Sequence, residues 1–82
     1  MVYPNPVSGA SVVETYIPET GNVRMEIWNM TGQRVQTVYS GRLTKGVHIQ
    51  HLSGKTDALP AGIYLLKLTA GTRVQTIRLL IP

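Results

Sequence analysis

Apolar and polar residues alternate along most of this chain with a period of two, the pattern of strands that bury one face. Val23 to Asn29 is the cleanest case: Val23, Met25 and Ile27 point one way, and Arg24, Glu26 and Trp28 the other. Ser11 to Ile17 groups Val13, Thr15 and Ile17, and Pro18 ends it. Arg34 to Tyr39 reads as a strand with Val35 as its inward anchor, and "SGRLTKG" after it as a loop or short edge. Val47 to Leu52 is a strand of open register. Its inner face holds either Val47, Ile49 and His51 or His48, Gln50 and Leu52, and a bulge would reconcile the two. Gly62 to Ala70 sets Tyr64, Leu66 and Leu68 opposite Ile63, Leu65 and Lys67, and Arg73 to Ile81 groups Ile77, Leu79 and Ile81. Val23, Met25, Ile27, Tyr64, Leu66 and Leu68 are therefore the expected core. No window carries apolar residues at helical spacing without a glycine or proline cutting it.

Turn chemistry separates these runs. Asn29 and Gly32 in "NMTGQ" fit a type I turn with a glycine bulge, and Gly71-Thr72 suits a two-residue hairpin with glycine first. "SGKTDALPAG" is a long turn. At the start of the chain, Val2 and Tyr3 can pair at a sheet edge. Pro4 and Pro6, which fix φ and lack a donor, then impose a corner around the turn-former Asn5. The count is about seven strands at spacings near ten residues, which predicts an all-β antiparallel sandwich of the immunoglobulin or fibronectin type. A small barrel is the alternative. Residues 1–82 read as one domain with a thin core, since a chain this short buries only about 60–65% of its unfolded surface.

Composition adds mainly exclusions. There is no cysteine, hence no disulfide and no thiolate metal site. The eight Lys and Arg exceed the four Asp and Glu, but no two basic residues are adjacent, so solvated strand faces account for the charge better than nucleic acid does. No run reaches the roughly 18 apolar residues of a membrane helix. The N-terminus lacks the basic and apolar regions of a signal peptide, and because the chain opens directly on structured-looking sequence, Met1 reads as a start placed on a piece of a longer protein. His48 and His51 would fall on opposite faces of a strand, unable to share a metal. Glu14 and Glu26 are expected on adjacent strands, both facing water. Asn29-Met30-Thr31 matches the N-glycosylation pattern formally, but the turn already explains it. Neither a nucleophile elbow nor a phosphate loop is present, and no enzyme activity or cofactor is expected. Tyr64, inside an apolar run, should bury its ring and bond its hydroxyl to a loop backbone group.

Four segments in order resemble the type A C-terminal sorting domain of type IX secretion substrates in the Bacteroidetes and their relatives. They are "YPNP" at Tyr3, Pro4, Asn5 and Pro6; "VRMEIWNMTGQRV"; "LPAGIYLLKLTAG"; and "TIRLLI". The chain departs from the family pattern in having Arg78 where lysine is common and in its terminal Pro82. The resemblance implies a non-catalytic recognition module behind an N-terminal passenger. Its partners would be the outer-membrane type IX translocon and a surface sortase, and its route would run through the periplasm to the cell surface or medium. It assigns recognition to Gly62, Tyr64, Gly71, Arg78, Leu79, Leu80 and Ile81, with Tyr3, Pro4, Asn5 and Pro6 as the opening motif.

Two other readings stay open. Fibronectin-like domains of hook-capping proteins share the opening and the "LPAGIY" segment, but usually carry a "WDG" type motif, where this chain has "HIQHLSGKTD". A carbohydrate-binding module would present aromatics in a row, for which only Trp28, Tyr16 and Tyr39 are available.

Overall fold

A computed structural model describes residues 1–82. The strands are β1 (Val2–Tyr3), β2 (Val12–Ile17), β3 (Gly21–Asn29), β4 (Arg34–Leu43), β5 (Gly46–His51), β6 (Gly62–Ala70) and β7 (Arg73–Ile81), with no helix. They form two antiparallel sheets in a sandwich-like arrangement: a three-stranded sheet in the order β1-β2-β5 and a four-stranded sheet in the order β4-β3-β6-β7. The period-two pattern dictates this layering, because each strand has one face that must leave water. Val23, Met25 and Ile27 of β3, Tyr64, Leu66 and Leu68 of β6, and Leu79 and Ile81 of β7 are all buried, in one core with Val13 and Ile17 of β2.

Several expectations need correction. Val35 is exposed and does not anchor β4; Val38 and Leu43 do. The β3–β4 ladder shifts register between Ile27 and Trp28 and again between Met25 and Glu26. Each shift inserts one extra β4 residue, Val35 in the first case and Val38 in the second, so simple alternation counted from Arg34 fails. "SGRLTKG" is neither a loop nor a short edge in its first half: β4 runs on through Leu43, paired with Gly21, and only Thr44 and Lys45 bridge to β5 in the other sheet. The register of β5 is regular. His48 and Gln50 are half-buried opposite Thr15 and Val13, Leu52 is buried beyond the strand, and Val47 and Ile49 face solvent. His48 and His51 do lie on opposite faces, and the His48 Nε2 sits 2.6 Å from the Thr44 carbonyl oxygen.

Glu14 and Glu26 are not on adjacent strands but in different sheets. Nor does Glu26 face water. Its side chain is only 5% exposed, and its carboxylate accepts a 3.0 Å hydrogen bond from the Arg34 guanidinium, with Arg24 at 3.9 Å. A carboxylate on the outer face of a sheet is covered here because long basic side chains of its own strand and of β4 fold over it.

Candidate functional site

The opening "VYPNPVSG" ends up against the last strand. β7 is an edge strand, and an edge leaves a row of backbone groups without partners. Asn5 covers part of that row with its side chain. Its Nδ2 donates to the Arg78 carbonyl at 2.8 Å, and its Oδ1 accepts from the Leu80 N–H at 3.0 Å. Two residues on, the Val7 N–H donates to the Leu80 carbonyl at 2.8 Å. The asparagine amide thus acts as a surrogate peptide unit, where a proline-flanked backbone lacks donors of its own. The Tyr3–Pro4 and Asn5–Pro6 bonds are cis.

Ser11 fixes this corner from below. It is fully buried; its hydroxyl donates to the Pro4 carbonyl at 2.7 Å and accepts from the Ser8 N–H at 2.8 Å. Tyr3, at the corner's start, donates its hydroxyl to the Glu14 carboxylate at 2.9 Å. That bond to an acceptor carboxylate is the main reason its phenol is pushed above the ordinary 10.0; slight desolvation and the carboxylate's charge add to it.

The "LPAGIY" segment meets the same end of the molecule. The Tyr64 ring is buried, and its hydroxyl donates to the Pro60 carbonyl at 2.6 Å, as the sequence led one to expect. The spacing follows: the side chain reaches back four residues and closes the loop that delivers β6. Gly62 between them has a φ of +153°, and a Cβ there would stand 4.0 Å from the Tyr64 ring. Gly62, Ile63 and Tyr64 pair with Ile81, Leu80 and Leu79 respectively.

Ten of the eleven sequence-assigned residues therefore sit around one end of the β6–β7 hairpin or on the corner docked against it. Their roles divide. Tyr64, Leu79 and Ile81 are buried, while Arg78 and Leu80 are exposed. Between the corner and the strands lies a shallow depression of about 290 Å³ lined by Asn5, Pro6, Ile63, Arg78 and Leu80. Gly71 lies elsewhere. Its φ of +61° makes the turn at the far end of the hairpin, nine residues and roughly 30 Å away. The sequence reading did not single out Ile63, Val7 or Ser11. Ile63 could have been found, because strict alternation puts it outside beside Leu80; Val7 and Ser11 act through contacts that no local pattern announces.

The remaining chemistry is dispersed. No three His, Asp or Glu side chains cluster as metal ligands. The three candidate glycan-stacking aromatics do not form a row. Tyr16 is on β2, Tyr39 on β4 bonds its hydroxyl to the Arg42 carbonyl, and Trp28 on β3 is half-buried with Lys67 Nζ 5.5 Å from its ring centroid. Asn29 spends its side chain on its own turn, accepting from Thr31 and Gln33.

Searches of curated proteins and of solved structures give no significant match. The family model for the secretion system C-terminal sorting domain matches residues 1–82, the whole chain. Domains of this family are sorting signals for type IX secretion, mark proteins exported across the outer membrane, and are not known as catalysts. With the four motif segments in family order, a sandwich of seven strands, and a family match from first residue to last, the chain belongs to the type IX secretion C-terminal sorting domains.

Proposed function

We propose that this domain is the address by which an N-terminal passenger is delivered to the outer-membrane type IX translocon, and that the translocon reads the end where the opening corner meets the last strand. The observation that carries this reading is the meeting of three family segments at one depression, with their side chains divided between core and surface. Leu79, Ile81 and Tyr64 hold the fold. Arg78, Leu80 and Ile63 present a cation beside two exposed apolar side chains, a combination that a solvated strand face does not need. Passage through the periplasm, removal by a surface sortase and display or release of the passenger follow from the same reading.

The test pairs a thermal melt of the isolated domain with export of a fused reporter in a host that has the type IX machinery. Arg78→Ala and Leu80→Ser should each melt close to the parent and export less reporter. Normal export by both folded variants would remove this end from the recognition surface. Failure of the parent domain to export any reporter would remove the translocon itself.

A further inference from the structure

β2 has an edge that β1 only half covers. β1 supplies two paired residues, Tyr3 against Val12 and Val2 against Val13, and the ladder then continues one step past the strand. The Met1 nitrogen donates to the Glu14 carbonyl at 2.8 Å, and the Glu14 N–H donates to the Met1 carbonyl at 2.8 Å. In an antiparallel ladder such doubly bonded pairs recur at every second residue, so the next one on β2 is Tyr16. β2 bonds β5 through the alternate residues, which leaves the Tyr16 N–H and C=O directed at an empty edge. Beside that edge the two sheets part. A cleft of about 410 Å³ opens between Ile17 and Pro18 on one side and Leu68 and Val74 on the other. Tyr16 and Val74, which also line this cleft, are left 58% and 57% exposed.

We propose that the chain immediately ahead of this domain continues β1 along β2, adding the strand that the sandwich lacks on this side. The occupant rests on the family reading, in which a passenger precedes the sorting domain, and its path is set by the register of Met1. The first residue ahead of Met1 pairs with Thr15, the second with Tyr16 and the third with Ile17. Val2 and Val13 face the core and Met1 faces out, so the first and third residues point into the cleft and should be apolar and β-branched. The second takes the two Tyr16 backbone bonds. The passenger's last residues are then part of the sandwich rather than a free tether, and the domain's orientation relative to its cargo is set by sheet pairing.

The experiment compares three proteins by amide hydrogen exchange: the 82-residue chain, the chain with Met-Thr-Val-Thr-Val added before Met1, and the chain with Met-Pro-Pro-Pro-Pro added there. Polyproline offers no donors and does not pair. The Tyr16 amide should exchange at least about tenfold more slowly with the Thr-Val extension than in either other protein. The Leu66 amide, inside the core, should be equally protected in all three and reports that each is folded. Unchanged exchange at Tyr16 with the Thr-Val extension, or equal slowing by both extensions, overturns the proposal. No secretion assay enters this comparison, so its failure leaves the sorting role standing, and a failed export assay leaves this pairing standing.

Discussion

Replacing Asn5 with alanine removes the two side-chain bonds that tie the first residues to the last strand, at 2.8 Å to the Arg78 carbonyl and 3.0 Å from the Leu80 N–H. Neutral hydrogen bonds contribute about 0.5–1.5 kcal/mol each net of water. Two such bonds sum to about 1–3 kcal/mol, and since both are near the surface, where water replaces a lost partner, the loss should lie toward the lower part, about 1–2 kcal/mol. For a chain of this size each kcal/mol shifts the melting midpoint by about 4–8 °C, giving a fall of roughly 5–15 °C. Without the asparagine the corner is tied to β7 by the Val7–Leu80 bond alone, so the Leu80 amide should exchange faster as well. Asn22→Ala is the control: an exposed strand asparagine without side-chain bonds, whose loss should stay within about 0.5 kcal/mol. Differential scanning calorimetry on both variants makes the comparison. A midpoint for Asn5→Ala no lower than for Asn22→Ala would refute the idea that the amide serves as a peptide surrogate on the β7 edge.

Leu79 is fully buried, so Leu79→Ala should open a cavity and cost about 2–4 kcal/mol in urea unfolding; an exposed-site effect below about 0.5 kcal/mol would contradict the packing. Tyr64→Phe keeps the ring and strands the Pro60 carbonyl, which should cost about 1 kcal/mol and loosen the loop before β6; an unchanged chemical denaturation midpoint would show that water replaces the bond without loss. Tyr3 has a folded-state pKa raised above 10.0, chiefly by its bond to Glu14, so its contribution is fully present below pH 10 and is lost as pH rises through the raised value. Ultraviolet titration should show one tyrosine ionising later than in Glu14→Gln, and identical curves would dismiss the bond.

The sheet faces were legible because the strands from Val23 and Gly62 keep one apolar face along their length, and β7 keeps its own from Ile77 to Ile81. Val23, Met25 and Ile27 share one face, and a register that turned it outward would expose all three at once. The same reasoning failed at Val35, since a bulge is a property of two strands at once and β4 alone does not reveal where β3 skips a residue. Glu26 failed for a related reason: what covers it is Arg34, eight residues on and across a hairpin whose exact pairing was not yet known. In the candidate site, Tyr64 announced itself, because a buried phenol needs an acceptor. Asn5 did not. A proline-flanked asparagine reads locally as a turn, and its partners lie more than seventy residues away. The resemblance grouped Gly71 with the terminal residues, whereas geometry places it at the opposite end of the hairpin.

The bonds from Asn5 span 73 and 75 positions of the sequence. They close only when β7 has been made and released from whatever channel or ribosome holds it. Local hairpins such as β3–β4 and β6–β7 can form early, whereas this clasp belongs to the slow, non-local class of contacts. Until it closes, the Arg78 carbonyl and the Leu80 N–H on the β7 edge stay uncovered. A translating or threading chain thus remains recognisably incomplete up to its last strand, and the finished corner is a physical record that synthesis reached the end of the domain.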